Sequence, residues 1–124
     1  MANNGLTKAY SAEGTINPFR IVKVGAADYG VLQAAAVADK LIGISTEVDA
    51  ASGERVDVVH DGIADLKLGG TVARGDLLTS DASGQGVTAA PSAGTNNRVI
   101  GVALISGVIG DLIPCLVNPG SFQG

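Results

Sequence analysis

Reactive and aromatic side chains are scarce in this chain. Of its 124 residues none is tryptophan, aromatics make up 3%, and cysteine, histidine and methionine occur once each. A single cysteine, Cys115, excludes an internal disulfide and any multi-cysteine metal cluster. Its apolar neighbours in "DLIPCLV" mark it as an inert buried thiol. His60 would have to serve any Ser–His–Asp arrangement, yet it stands at a strand end in "VVHDG", where Asp61 bonding local backbone and Gly62 supplying a positive φ read as a turn. There is no Gly-x-x-x-x-Gly-Lys-Ser/Thr, and the Gly-x-Gly at Gly84 and Gly86 lacks the third glycine and following helix of a dinucleotide site.

Charge is also thin. Eight scattered Lys and Arg stand against twelve Asp and Glu, a formal net charge of −4. A phosphate-contacting surface needs clustered cations that release counterions, so no nucleic-acid partner is expected. The longest apolar run, "VIGVALISGVIG", is too short and too broken by glycine to cross a bilayer, and "MANNGLTKAYSAEG" lacks the apolar segment of a secretory signal. Synthesis in a cytosol and no membrane partner are the expectation.

Two local patterns imitate functional motifs. "DASGQG", Asp81 to Gly86, places oxygen-bearing side chains at alternate positions, but Ser83 and Gln85 are neutral and Ser92 stands where a calcium loop needs its bidentate Glu. It reads as a polar hairpin turn, with no metal. "ARGD", Ala73 to Asp76, holds an adhesion tripeptide within what reads as a tight turn into a strand.

What the chain does have is glycine, 18 of them, and an apolar fraction of 46%. With so few aromatics, the core must come from Val, Ile, Leu and Ala, each large aliphatic contributing about 1.5–3 kcal/mol when buried. Short segments such as "RIVKVG", "KLIGIST", "RVDVVHDG" and "RVIGVAL" lie between turn residues, and Arg55-Val56-Asp57-Val58 alternates with the period of a half-buried strand. Only "LQAAAVADKLI", rich in alanine, has the composition for a helical turn. The phrase "KLIGIS" returns as "RVIGVA", and the halves align with Gly30 on Gly86, Gly43 on Gly101, Gly53 on Gly110 and Gly62 on Gly120. A glycine inside an apolar strand marks a bulge, a bend or a close backbone approach. The expected fold is all-β: a small single-domain β-barrel or sandwich built from two similar β units joined by "IADLKLGGTVARG", spanning 18–124, with a flexible N-terminal arm over 1–17. Pro114 is expected at an edge or bulge. Leu112, Ile113, Leu116 and Val117 are expected as core or subunit contacts, with Leu116→Asp preventing folding.

The order "FRIVKVGAADYGVLQAAAVADKLIGIS", "GERVDVVHDGIADLKLGGTVARGDLLTSDASGQ", "RVIGVALISGVIGDLIPCLVNPG" resembles the capsid cement, or decoration, proteins of tailed bacteriophages over nearly the whole chain. The most diagnostic pieces are "GERVDVVHDGIADLKLGG" and "VARGDLLTSDASG", which are fold motifs rather than catalytic ones. The resemblance implies a structural virion protein, not an enzyme and without cofactor, made in the host cytoplasm. It would bind the outer face of the head, clamp neighbouring major capsid protein subunits and self-associate as a homotrimer, alternatively a homodimer. It also implies that the arm binds the capsid. Leu6, Thr7, Lys8, Ala9 and Tyr10 alternate in a way that suits an added strand on the capsid protein. Among the few aromatics, Tyr29 in the turn "AADYGV" is the candidate interface anchor, and Phe19 suits core or interface. Two other readings are a soluble β-barrel enzyme or ligand-binding domain with its site in the barrel mouth, and a head-fibre or tail attachment module.

Overall fold

A computed structural model describes residues 7–47 and 49–123. They form ten strands and no helix. The first five are β1 (Thr7–Ala12), β2 (Ile21–Val24), β3 (Gly30–Gln33), β4 (Leu41–Ser45) and β5 (Arg55–Val59), and they make a closed barrel in the order β1-β3-β2-β4-β5. The second five are β6 (Gly62–Lys67), β7 (Leu77–Ser80), β8 (Gly86–Thr88), β9 (Asn96–Ala103) and β10 (Leu112–Gln123), in a sheet ordered β6-β10-β9-β7-β8. Read around the barrel from β1 through β5, the first order becomes the second when each strand is replaced by the one five places later. The repeat seen in the glycines is therefore a repeat of topology, and the all-β expectation of two similar units holds.

The repeat extends further upstream than the aligned glycines. Ile16 and Ala50 exchange both backbone hydrogen bonds in the first unit, and Val72 and Gly107 exchange both in the second. Ala12 donates to Glu54 and accepts from Gly53, while Leu68 donates to Asp111 and accepts from Gly110. "IADLKLGGTVARG" is thus not a linker: it contains most of β6 and its continuation, the counterpart of β1. The arm expected over 1–17 needs the matching correction. From Thr7 to Ser11 the chain pairs antiparallel with β5, and Ser11 and Ala12 pair parallel with Gly30 and Val31 of β3. These residues escape a reading by hydropathy because β1 needs little apolar material. Ala12 is buried and Tyr10 half-buried, and they occupy the places that Leu68, just past β6, and Leu66, within it, hold in the second unit. Leu6 lies outside the described residues.

Burial on both faces of the first barrel explains its apolar density. One cluster, with Ala12, Ile16, Val22, Val31, Val56 and Val58, fills its interior. The opposite face of the same strands supplies Ile21, Leu41, Ile44 and Val59 to a larger cluster with Leu66, Leu68, Leu78, Ile100, Ile113 and Cys115 of the second unit. The second sheet needs that contribution. Its first and third strands meet through a single parallel bridge, Leu68 with Gly86. Residues of the first unit stand beside this opening: Lys67 donates to the Phe19 carbonyl at 3.0 Å, and Ile21 donates to Gly84 at 2.7 Å. Phe19 holds a φ of 58° there, the left-handed region that Gly75 occupies in the second unit.

The repeated glycine has a steric cause. A Cβ on Gly43 would lie 2.4 Å from the Val59 carbonyl oxygen, and one on Gly101 would lie 1.9 Å from that of Leu116. Neighbouring backbone leaves no room for a side chain at either place, and register shifts interrupt both β2–β4 and β9–β10.

Two further expectations change. The alanine-rich "LQAAAVADKLI" forms no helix; its middle is a turn in which the Asp39 carboxylate accepts from the amides of Ala35 and Ala36 at 2.8 and 3.0 Å. Pro114 lies in β10, a central strand, rather than at a sheet edge. Its carbonyl accepts from Leu104, so its nitrogen faces the β9 side just past Ala103, where β9 has ended and no donor is required.

Candidate docking surface

The polar groups singled out in the sequence are committed to structure. The His60 Nδ1–H donates to the Ile42 carbonyl at 2.9 Å, which leaves Nε2 to accept from the Tyr10 hydroxyl at 2.5 Å. Both ring nitrogens are thereby used to tie β1, β4 and the end of β5 together. Asp61 Oδ1 accepts from the Gly62 amide at 2.9 Å, and Gly62 has a φ of 92°, the turn expected of "HDG". In "DASGQG", Asp81 Oδ1 accepts from the amides of Ser83 and Gln85, forming the β7–β8 hairpin. In "ARGD", Asp76 Oδ2 accepts from the Ala73 amide and the Thr88 hydroxyl, both at 2.9 Å, across the turn into β7. Burial pushes the Cys115 thiol up to about 12, so it carries no thiolate near neutrality. Among the described residues no group of three or more His, Cys, Asp or Glu side chains is placed to hold a metal ion.

A groove of about 280 Å³ runs along the junction of the two units, lined by Phe19, Ser45, Thr46, Glu47, Val59 and Asp65 among others. The Ser45 hydroxyl in it donates to the Asn17 carbonyl at 2.8 Å and accepts from the Arg20 amide at 3.0 Å. The interior of the first barrel, behind the mouth proposed for a ligand, holds the apolar cluster described above.

The surface is more informative. Thr7, Lys8 and Ala9 are exposed along β1, and the backbone sets Tyr29 beside them: Ser11 donates to the Tyr29 carbonyl at 2.9 Å and pairs with Gly30. Lys8 Nζ lies 5.3 Å from the centroid of the Tyr29 ring, a cation–π contact. Lys8, assigned to a separate arm, and Tyr29, assigned to a separate turn, are thus in contact. Tyr29 is 69% exposed and has a φ of 61°. A bulky side chain in the left-handed region costs about 1–2 kcal/mol, a cost that exposed packing does not recover. Its turn is locked from below. The Glu13 carboxylate accepts from the amides of Ala26 and Ala27 at 2.8 and 2.9 Å, and these bonds hold its carboxyl below the ordinary range. A Cβ on Gly30 would collide with that carboxylate. Tyr10, partly buried and close to Tyr29, has its phenol raised, by burial first.

A second exposed element escaped sequence reading. The loop from β9 to β10 carries Ile105, Val108 and Ile109 outward, with Ile109 70% exposed. Its counterpart between β4 and β5 carries Glu47, Asp49 and Glu54. The two loops share one clasp: Glu54 accepts from the Ala51 amide and Asp111 from the Val108 amide, each directly preceded by a glycine, Gly53 and Gly110, at φ of 88° and 90°. Inside "VIGVALISGVIG" the loop reads as more strand, because its apolar tip has no turn signal beyond glycine.

The geometry is that of a two-unit β scaffold with Lys8, Tyr29 and the apolar β9–β10 loop exposed on its surface. The sequence profile of the phage cement protein family matches residues 2–107. The chain belongs to the phage cement protein family. Its resemblance to that family is thereby established, and this cement protein is a structural protein of a phage. The match stops short of β10. Its fold is similar to that of the head fiber gp8.5 N base in bacteriophage phi29, with a TM-score of 0.66 at 18% identity, covering 91% of this chain and 93% of that one. At that identity the likeness concerns the fold. No curated protein matches the chain.

Proposed function

We propose that this cement protein binds the outer face of a phage head and clamps neighbouring major capsid protein subunits as a homotrimer, with no catalytic step. One observation carries the reading: Tyr29, exposed and strained, is held on a locked turn beside Lys8. Strain of this kind persists where binding requires a fixed side chain, and an aromatic with a cation is the composition of an interface anchor. The contact centres on Lys8 and Tyr29, with Thr7, Ala9 and Tyr10 as their neighbours along β1, acting from within the barrel rather than as a free arm; Leu6 precedes them in sequence. Clamping needs area across a joint, repeated at many equivalent sites, rather than one strong contact. The net charge of −4 favours the outside of the shell, away from packaged DNA phosphates, and argues against nucleic acid as a partner; synthesis in the host cytoplasm, with no membrane partner, belongs to the same proposal.

The test is binding of purified protein to heads lacking it. Lys8→Ala with Tyr29→Ala should weaken binding by more than about tenfold while leaving the circular dichroism spectrum intact. Unchanged binding would remove the patch from the mechanism. The likeness to a head fiber base favours a second reading, a head-fibre attachment module. Labelled protein coating the head evenly supports the clamp, and a projecting fibre at each site supports the second reading.

A further inference from the structure

The internal repeat allows each surface position in one unit to be compared with its counterpart in the other, and one row stands out. In the first unit Thr7, Val59, Ile44 and Ile21 lie directly opposite one another across β1, β5, β4 and β2. In the second unit the corresponding row is Ile63, Leu116, Val102 and Leu77, across β6, β10, β9 and β7. Val59, Ile44 and Ile21 are buried where the first unit packs against the second. Their counterparts face outward: Ile63 is 38%, Leu116 42% and Leu77 37% exposed, and Val102 is half-buried. The second row is more apolar than the first, since Ile63 replaces Thr7.

We infer that this row is the face through which copies of this chain associate. The inference deepens the self-association in the reading above. Four aliphatic residues at neighbouring register positions across four strands form a continuous strip, and the same strip in the first unit is already seated against the inner face of a unit of this same fold. Leu112 extends it along β10, exposed on the same side. The charges that share the face on β6 are Asp65 and Lys67, one of each sign. β6 therefore adds no net charge to the row in a chain of net charge −4, which keeps the acidity that would oppose copies meeting there low on this strand. Around a threefold axis each copy sets its row against the rows of its neighbours. The Lys8–Tyr29 patch lies on the other unit and stays free for the capsid.

The corresponding change to the Leu116→Asp expectation is direct: Leu116 is outward, so this substitution acts on assembly rather than on folding. Light scattering of the full chain at tens of micromolar is expected to give a trimer. Leu116→Asp and, separately, Leu77→Asp are expected to give monomers with the strand spectrum retained, self-association falling by more than about a hundredfold. Ile63→Ser, a milder change, is expected to shift the equilibrium in the same direction, and it serves if an aspartate variant fails to fold. Val24→Asp, an exposed apolar position in the first unit, is expected to stay trimeric. A monomeric wild-type chain, or Leu116→Asp and Ile63→Ser proteins with unchanged mass, would overturn the inference. A trimer dissociated by these substitutions but unable to bind heads at all would uphold it and sink the capsid reading instead.

Discussion

Where its first strand meets its third, the first unit has two parallel pairs, Ser11 with Gly30 and Ala12 with Val31, while the second has one bridge, Leu68 with Gly86. The first barrel closes on itself and turns its outer apolar face to its neighbour. The second sheet joins that face in a shared core. A duplicated fold need not use equivalent positions alike: the row Val59, Ile44, Ile21 is core, and the row Leu116, Val102, Leu77 is surface. The loops diverge in the same way, acidic between β4 and β5 and apolar between β9 and β10. Sequence duplication supplies two scaffolds, and their differing surfaces divide inward packing from outward contact.

The largest expected effect comes from removing the asymmetry at its source. Deleting residues 1–14 takes away β1 and opens the first barrel, exposing the interior built on Val22, Val56 and Val58. The loss should exceed about 5 kcal/mol, the whole margin of a small domain. Circular dichroism and limited proteolysis should report unfolding, and a cooperatively melting truncated protein would show that β1 is dispensable.

Next come the paired glycines. Gly101→Ala drives a Cβ into the Leu116 carbonyl and Gly43→Ala into that of Val59. Each should cost on the order of 4 kcal/mol, Gly101 more than Gly43 because its contact is shorter. Chemical denaturation of both variants ranks them, and the opposite order would mean that the β9–β10 shift relaxes more easily than the β2–β4 one.

The row comparison is sharpened by equal truncations at equivalent places. Ile44→Ala should cost about 2–5 kcal/mol, whereas Val102→Ala in dilute protein, away from copy-to-copy contact, should cost less than about 1 kcal/mol. Similar melting losses for the two would remove the distinction between an inner and an outer row.

The smallest effect is electrostatic. Glu13 is ionised more readily in the fold than in the unfolded chain, because Ala26 and Ala27 donate to its carboxylate. A lowered folded value contributes stability that is present above the unfolded carboxyl value and is lost as pH falls through the folded one. Glu13→Gln should therefore flatten the acid side of the melting profile and leave its alkaline side alone. An unchanged acid limb would mean that the turn holding Tyr29 does not depend on this charge.

The parts legible in the sequence were those with a strong local cause. Strand alternation, the glycines at 43 and 101 and the turns at Asp61, Asp76 and Asp81 all follow from backbone chemistry within a few residues. β1 was hidden because Tyr10 and Ala12 stand where the second unit has Leu66 and Leu68, so the repeat fades where the barrel closes. Tyr29 was visible as a rare aromatic in a turn, but its position beside Lys8 depends on a parallel pairing with β3 that no local pattern reports. The outer position of Leu116 was not readable either. Its neighbours Cys115 and Val117 are buried, and the alternation alone does not say which side of β10 faces the shared core.

The most direct test of the account is cryo-electron microscopy of heads with and without this protein. The account predicts added density on the outer shell, spanning joints between capsid subunits, with the Tyr29 turn at the contact. Density confined to the inner surface, to the tail or to a single vertex would contradict it.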